Sequence, residues 1–539
     1  MDFLRNKPAI THRLIELTVL LSIILLALAT RWGPGVGGDA TIYMSSATNL
    51  ARGHGLGLIE PGGSLRLLPY FPPFLSLLLS LFGLLGLDLV VTIRWLNILC
   101  FGGLVYLIGM VTYRQTKWSL FSILTALIVA VCPILIPVYS WAMSEPLSAI
   151  SGFSGLAILL AYLQHPEKKS FLFWSAVLCG LSFLTRYSAL AFMLAALTGI
   201  LFFTESPIKK RLIDGFVYGV IASVPMVLWL VYDVLNTATV ASRRVLSPEE
   251  VTGRLVSFWP LLRDAVLIWF IPESWFYAPV YPAFLNSLVV PLAGIGLVLM
   301  GFLLFRRLKK ETLTVQYPVF GLMTLLVAFV LFYLLIIFGV YMTTYPPITI
   351  ANRMLSPMLT ALIWLVMLAC GLLVHSLNGK KALQWIIYGL LIGVCLYYGM
   401  RSARIVKDYY NDGLGYTSPA WQQSQTIEAL KKLSPETPIV TNETNAVLFL
   451  TGRSSYPFKE SFLDKPESSF TRFGDGDLEN DDGQKLFREG RAVLVLFDTI
   501  DDQLSGLYDD RTNERIQSLV KGLKRDFRGS DGGIFTYPQ

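Results

Sequence analysis

Residues Leu14–Trp32 read LIELTVLLSIILLALATRW, an apolar run as long as a membrane-spanning helix. A helix needs about 20 apolar residues to cross the hydrocarbon core of a bilayer. A basic start with Arg5, Lys7 and Arg13 precedes the run, and such residues collect on the cytoplasmic side of a membrane. We therefore predict a first transmembrane helix with a cytoplasmic N-terminus.

The composition of the whole chain also indicates a membrane protein. Of its 539 residues 54% are hydrophobic and only 15% are charged, against about 25% charged in soluble domains. The net charge of +7 comes from short basic clusters between apolar runs, so we predict no nucleic-acid partner. The five cysteines lie in or beside apolar runs without metal-ligand spacing to a histidine, and we predict them as core residues.

Further apolar runs extend this prediction to a polytopic α-helical membrane protein of the plasma membrane with about 11 transmembrane helices. Basic loops alternate with loops poor in such clusters, which places the basic set in the cytoplasm. If Phe71–Asp88 were counted as a span, the alternation of the loops after it would be inverted. We therefore predict that this segment is a helix along the outer interface. The predicted spans are 14–32, 90–112, 118–137, 146–163, 171–185, 187–203, 212–235, 283–305, 318–340, 354–377 and 382–400.

The alternation divides the chain into a membrane domain, residues 1–400, and an outer domain, residues 401–539. The outer domain is charged and polar, with short β-type runs at 438–440, 492–497 and 533–537, which predicts a small extracytoplasmic α/β domain. Outer loops are predicted at 33–89 and 236–282. Aromatic residues in the second loop indicate anchoring at the lipid headgroups or stacking on sugar rings. Asp475-Gly476-Asp477 is predicted to be a solvated loop.

The first outer loop carries an acidic residue at the start of a helix. Residues 33–53 read GPGVGGDATIYMSSATNLARG, a glycine-rich turn followed by a helix that ends before Gly53. The positive end of a helix dipole stabilises a carboxylate such as that of Asp39. Two interpretations remain open for Asp39: a base that accepts a proton, or a helix cap.

Three more ionisable residues are predicted near the outer ends of spans. Glu145 stands in Ser144-Glu145-Pro146, and ionisable groups at such depth mark functional sites by default, although Glu followed by Pro also starts ordinary helices. Arg186 and Arg353 lie on the predicted outer side, against the positive-inside trend. That placement suits binding of an anionic headgroup, or pairing with a neighbouring carboxylate.

The order of these features resembles the GT-C glycosyltransferases, in particular their family-39 and dolichyl-phosphate-mannose/aminoarabinose-transferase-like branch. The resemblance covers about residues 10–400. The matching features are Asp39 before a helix that ends in glycine, Tyr70-Phe71-Pro72-Pro73, Ser144-Glu145-Pro146, Leu184-Thr185-Arg186, and Arg353 followed by Pro357. The chain differs at Ala40, where protein mannosyltransferases have a second acid, and at Phe71, where aminoarabinose-type enzymes have a lysine.

The resemblance implies an inverting sugar transfer from a polyprenyl-phosphate donor to a lipid, glycan or protein acceptor at the outer face. Asp39 would be the general base, with Glu145 as a second catalytic acid residue. Arg353, Arg186 or Arg66 would offset charge on the departing phosphate, with Tyr70 and His54 as further substrate-binding candidates. A divalent cation is an alternative source of that positive charge, although no metal-ligand cluster is visible.

Two other functions compete with sugar transfer. A secondary transporter would also have about eleven spans and acidic residues within the membrane, but its internal repeats are not found here and the acids cluster at outer loops. A non-catalytic membrane scaffold would use residues 401–539 as a binding module. Sugar transfer by the purified protein would separate the three functions.

Overall fold

The structure is a computed structural model, and it describes most of the chain as helices. The described residues are 8–68, 71–204, 206–237, 244–245, 248–272, 318–345, 348–377, 380–458, 482–500 and 519–538.

Helices make up most of the described residues that precede the C-terminal sheet. They are α1 (Pro8–Ala29), α2 (Gly38–Ala51), α3 (Phe74–Leu84), α4 (Leu89–Thr116), α5 (Ser119–Ala130), α6 (Leu135–Ser140), α7 (Glu145–Gln164), α8 (Lys169–Thr185), α9 (Leu190–Phe203), α10 (Ile208–Thr237), α11 (Pro248–Phe270), α12 (Pro318–Thr343), α13 (Asn352–Ser376) and α14 (Lys381–Asp412). Two-residue strands form the hairpin β1 (Leu58–Ile59) and β2 (Leu65–Arg66), and β3 (Arg244–Val245) pairs with β4 (Thr344–Tyr345).

The prediction of a polytopic helical membrane protein is confirmed. Among the described residues, 7 helices are long and apolar enough to cross a membrane, namely α1, α4, α7, α10, α12, α13 and α14. Helices α5, α8 and α9 are shorter but coincide with predicted spans, and residues 118–137 are divided between α5 and α6. The predicted span 283–305 lies outside the described residues.

Small residues let the membrane helices approach closely, as is common where helices pack without water between them. A Cβ atom on Gly155 of α7 would lie 2.5 Å from Cys179 Sγ of α8, and one on Gly180 would lie 2.6 Å from the Ala222 carbonyl oxygen of α10. Among the described residues all five cysteines are free thiols, and four of them are buried.

Helix α3 occupies the segment predicted to lie along the outer interface. Its 11 residues rise about 16 Å at 1.5 Å per residue, roughly half the thickness of the hydrocarbon core. Leu81 and Leu84 are 59% and 65% exposed. The helix is therefore too short to span a bilayer and presents apolar side chains outward, as an interfacial helix does.

The C-terminal segment folds around one mixed five-stranded sheet, which confirms the predicted α/β domain. Its strands are β5 (Ile439–Thr441), β6 (Tyr456–Pro457), β7 (Val493–Phe497), β8 (Lys524–Arg528) and β9 (Gly532–Thr536), in the order β6-β5-β7-β9-β8. β5 runs parallel to β6 and β7, whereas β9 runs antiparallel to β7 and β8. Short helices α15 (Pro419–Gln422), α16 (Gln425–Lys431), α17 (Thr444–Thr451) and α18 (Asp482–Arg488) accompany it.

The central strand β7 explains why this sheet forms. All five of its residues, VLVLF, are buried, as expected for a strand that is covered on both faces. Leu494 and Leu496 belong to one apolar cluster, and Val493, Val495 and Phe497 belong to a second. The alternation of a strand sends successive side chains to opposite faces of the sheet, so β7 contributes to both cores.

The chain divides into two compact units by packing. The first comprises Met1–Ala29, Phe71–Leu75 and Arg94–Tyr410, and the second comprises Thr30–Tyr70, Ser76–Ile93 and Asn411–Gln539. We call them the helical unit and the mixed unit. The mixed unit joins the first outer loop to the C-terminal sheet. The boundary between the membrane domain, residues 1–400, and the outer domain, residues 401–539, rests on the predicted side of the membrane and stays a prediction.

Candidate active site

A buried carboxylate contacts two arginines within the helical unit. Glu145 is the first residue of α7, and the residue is 1% exposed. Its Oε1 atom lies 2.9 Å from Arg186 Nη1 and 3.0 Å from Arg353 Nε. The geometry is that of ion pairs rather than of linear hydrogen bonds. One carboxylate thus pairs with two guanidinium groups, and the three side chains carry a formal net charge of +1.

Three helix ends bring these side chains together. Glu145 and Pro146 begin α7, and a proline in the first turn suits a helix start. Arg186 follows the last residue of α8 in an extended conformation and its Nη1 donates to Ser144 Oγ at 3.0 Å. Arg353 lies in the first turn of α13 and its Nη1 contacts Met143 Sδ at 3.3 Å. Both arginines therefore lie against the segment immediately before α7.

Arg353 also lines a cavity of about 790 Å³ inside the helical unit. Among the described residues of its lining the charged ones are Arg353, Arg401 and Arg404. Apolar residues make up most of the remaining wall, namely Pro133, Ile134, Pro137, Val138, Trp141, Met143, Ile268, Pro272, Met400 and Ile405. The cavity thus combines positive charge with apolar surface, a combination that suits an anionic amphiphile.

Hydrogen bonds that join α11 to α13 and to α14 hold the wall of this cavity in place. Trp269, one of the aromatic residues in the predicted loop 236–282, is buried and its Nε1 donates to Asn352 Oδ1 at 2.8 Å. Arg401 donates to the Trp269 and Ile268 carbonyl oxygens at 3.2 and 3.0 Å. These are among the last carbonyl groups of α11, which have no partner within a helix. Arg401 is therefore engaged in structure, whereas Arg404 is exposed.

The structure brings together three of the predicted site residues and two that were not predicted. Glu145, Arg186 and Arg353 form one cluster, although each was selected from a separate motif. Arg401 and Arg404 lie at the start of the predicted outer domain. The signal that could have identified them was present, because they directly follow the last predicted span on the outer side, where arginine is disfavoured by the positive-inside trend.

Asp39 lies in the mixed unit, in the first turn of α2. Gly37 occupies the N-cap position and the helix begins at Gly38, so the interpretation of Asp39 as the helix cap is wrong. The N-cap position therefore lies two residues before the aspartate. Asp39 is partly exposed.

The other predicted substrate-binding residues have separate surroundings. Arg66 lies on β2, and its Nε is 3.4 Å from Glu60 Oε1 across the β1–β2 hairpin. His54 is exposed just beyond the end of α2, and its backbone N–H donates to the Asn49 carbonyl oxygen at 2.9 Å. Tyr70 lies outside the described residues, as do Asp475, Asp477 and the aromatic residues Trp275, Phe276, Tyr277 and Tyr281.

Comparison with known structures identifies the fold. ArnT from Cupriavidus metallidurans bound to undecaprenyl phosphate aligns over 97% of this chain and 99% of its own, with a TM-score of 0.53 and 14% identity. The archaeal oligosaccharyltransferase AglB from Archaeoglobus fulgidus, in complex with an inhibitory peptide and a dolichol-phosphate, aligns over 98% of this chain and 74% of its own, with a TM-score of 0.53 and 12% identity. The apo oligosaccharyltransferase of A. fulgidus gives a TM-score of 0.56 at 11% identity, over 100% of this chain and 75% of its own.

The chain has the GT-C fold. This confirms the resemblance inferred from the order of motifs along the sequence. At 11–14% identity the similarity of these GT-C structures establishes the architecture and not the reaction. No protein-family model matches the chain, and no curated protein matches it significantly in sequence.

The ion-pair cluster generates a stability prediction. Glu145→Gln keeps the size of the side chain but removes the negative charge that contacts two partly buried guanidinium groups. Loss of one partner of a buried ion pair costs about 3–5 kcal/mol, and we expect a value near the lower end because Arg353 is 37% exposed. Thermal unfolding of the detergent-solubilised protein should show a lower Tm.

The matched control is Glu428→Gln, which removes an exposed carboxylate paired with Lys431 at 2.8 Å. Water screens an exposed pair of this kind, which therefore contributes little to stability, so Tm should barely change. Equal shifts for the two variants would contradict a structural role of the Glu145 cluster.

Proposed function

We propose that the protein is a membrane glycosyltransferase that moves a sugar from a polyprenyl-phosphate donor to an acceptor hydroxyl. The observation that carries this proposal is the arginine-lined, otherwise apolar cavity beside the Glu145 cluster. It is supported by the GT-C fold and by two similar structures with undecaprenyl phosphate and dolichol-phosphate bound. The acceptor remains one of three classes: a lipid, a glycan or a protein.

The cavity residues suit the donor in two ways. The apolar wall offers a surface for prenyl units, while Arg353 and Arg404 offer charge-assisted hydrogen bonds to phosphate oxygens. Negative charge accumulates on the phosphate as the bond between the anomeric carbon and the phosphate oxygen breaks. Fixed positive charge near this oxygen lowers the energy of the transition state more than that of the bound donor.

Glu145 acts in this proposal by positioning the arginines. Its carboxylate is 1% exposed and already contacts Arg186 and Arg353, so we assign it no proton transfer. Within the described residues no three histidine, cysteine or carboxylate groups converge as metal ligands would. The proposal therefore contains no step through a divalent cation, and transfer measured with and without a chelator tests this choice.

Asp39 is the proposed general base. Its carboxylate would accept the proton of the acceptor hydroxyl as the oxygen attacks the anomeric carbon from the side opposite the phosphate. The new glycosidic bond forms, the bond to the phosphate breaks with its electron pair, and polyprenyl phosphate leaves. The configuration at the anomeric carbon is inverted. The base role of Asp39 follows from the resemblance, and the contributions of Tyr70, His54 and Arg66 to substrate binding are predictions from the sequence.

The first functional prediction concerns Asp39. Asp39→Asn keeps the size of the side chain and leaves the cap residue Gly37 unchanged, but an amide cannot accept the hydroxyl proton. The rate of transfer from a purified lipid-linked sugar should fall by about 10²–10⁴-fold, the usual contribution of general-base catalysis. The Tm should stay within a few degrees of that of the unaltered protein.

Near-normal transfer by Asp39→Asn would reject Asp39 as the base while leaving the glycosyltransferase proposal intact. Absence of transfer by the unaltered protein with every donor and acceptor class would favour the transporter or the scaffold. Counterflow of a labelled solute in proteoliposomes then separates these two functions.

The second functional prediction concerns the donor site. Arg404→Ala should raise the donor KM by about 10- to 100-fold, because a charge-assisted hydrogen bond contributes about 1.5–3 kcal/mol. Arg353→Ala should weaken donor use at least as much, and Arg353→Lys should restore part of it. Arg528→Ala, on the exposed strand β8, removes a positive charge elsewhere and should leave the donor KM unchanged. Unchanged donor kinetics for both cavity variants would move the assignment to Arg186 or Arg66.

Orientation forms a separate part of the proposal. The basic loops favour an N-terminus in the cytoplasm and a C-terminal sheet outside. In a cysteine-free background, a cysteine at Ser530 should react with a membrane-impermeant maleimide added to intact cells. A cysteine at Lys168, in a basic loop, should react only after the membrane is permeabilised. The reverse labelling pattern would overturn the orientation.

A further inference from the structure

The glycine-rich segment before Asp39 is held by the start of the C-terminal segment. Within the mixed unit, Val36 and Gly415 form a parallel β-bridge, and the Tyr416 N–H donates to the Val36 carbonyl oxygen at 2.8 Å. Thr417 Oγ1 lies 2.7 Å from the Pro34 carbonyl oxygen and 2.8 Å from that of Leu414, so its proton is shared between them. The contacts fix the backbone three to five residues before Asp39.

The backbones at this junction approach too closely for larger residues. A Cβ atom on Gly415 would lie 2.1 Å from the Val36 carbonyl oxygen, and the φ angle of Gly415 is +52°. A Cβ on Gly33 would lie 3.1 Å from Thr417 Cβ. The junction therefore depends on glycine on both sides, and Val36 between them is 0% exposed.

Tyr416 connects this junction to the carboxyl edge of the sheet. Its hydroxyl donates to Glu443 Oε2 at 3.1 Å, and Thr499 Oγ1 donates to Glu443 Oε1 at 2.9 Å. Glu443 follows strand β5 and Thr499 follows strand β7. The Tyr416 ring also packs edge-on against Trp421 at 5.2 Å between centroids. A continuous set of contacts thus runs from two parallel strands to the Val36 backbone.

Helix α2 itself packs on the same domain. It contacts α17, the helix after strand β5. Ala40 and Ala47 on α2 are 0% exposed, as are Ala446 and Val447 on α17. A Cβ atom on Gly38 would lie 3.4 Å from Asn445 Nδ2. Both the turn before Asp39 and the helix that carries it therefore rest on the C-terminal sheet domain.

We propose that Gly415, Tyr416 and Thr417 are positioning residues for Asp39, so that the C-terminal domain is part of the catalytic machinery instead of a separate binding module. This inference rests on the proposed role of Asp39 as the base. Four of the six residues from 33 to 38 are glycine, which is a flexible composition. Without the anchor the segment would sample many conformations, and a displacement of about 1 Å can cost 10²-fold in rate.

The first test removes one hydrogen bond without changing shape. Thr417→Val is nearly isosteric but leaves the buried Pro34 carbonyl group without its side-chain donor. We expect kcat to fall about tenfold with the donor KM unchanged, because the donor cavity is untouched. Thr417→Ser keeps the hydroxyl and should restore kcat to within about twofold. A loss of kcat that serine does not rescue, or an equal change in the donor KM, would overturn the inference.

The second test compares two glycines with left-handed backbones. Gly415→Ala places a methyl group on the Val36 carbonyl oxygen, whereas Gly452→Ala, at φ +70°, meets nothing within 4 Å. Both substitutions incur the same kind of backbone strain, so their difference reports the contact. Amide hydrogen exchange of residues 38–51 should rise at least tenfold in Gly415→Ala and stay unchanged in Gly452→Ala.

The exchange measurement needs no sugar transfer, so the two proposals can fail separately. Unchanged exchange in Gly415→Ala would reject the positioning role whether or not the protein transfers sugar. Raised exchange with unchanged kcat would confine the anchor to a structural role and equally overturn the inference. Raised exchange in a protein that shows no transfer with any donor would reject the proposed function while preserving the contact.

Discussion

The pairing of the buried Glu145 carboxylate with two arginines is the interaction on which the helical unit depends. The carboxylate contacts Arg186 at 2.9 Å and Arg353 at 3.0 Å, and uncompensated charge is expensive to bury. The carboxylate holds the start of α7, the end of α8 and the start of α13 together. Arg353 belongs both to this cluster and to the wall of the cavity, so the cluster contributes a guanidinium group to the cavity.

The mixed unit meets a different constraint, because its glycine-rich segment has little intrinsic preference for one conformation. The β-bridge between Val36 and Gly415 and the hydrogen bond from Thr417 to the Pro34 carbonyl oxygen hold this segment in one conformation. The Tyr416 hydroxyl donates to Glu443, which lies beside the ends of β5 and β7. These contacts connect the sheet to the backbone at the start of α2. The sheet domain thus has an internal role that does not depend on a binding partner.

The sequence predicted elements with strong periodic or apolar signals and missed those without them. The strand at Val493–Phe497 is entirely apolar, whereas Lys524–Arg528 reads KRDFR and Tyr456–Pro457 has only two residues, so neither of the latter shows a strand pattern. Glu145, Arg186 and Arg353 stood out singly because charge is rare at outer span ends. Their contact with one another could not be predicted from the sequence, since Arg353 contacts a residue 210 positions away.

The charge of the cavity also discriminates between classes of ligand. Arg353, Arg401 and Arg404 all line it, and within the part of the chain that the structure describes no carboxylate does, so a cation would meet like charge there. A fully hydrophilic anion would satisfy the arginines but leave the proline, isoleucine and methionine wall in unfavourable contact with water. An anion attached to a long apolar chain meets both requirements at once. The cavity therefore favours a lipid phosphate over the small ionic solutes that a secondary transporter would carry.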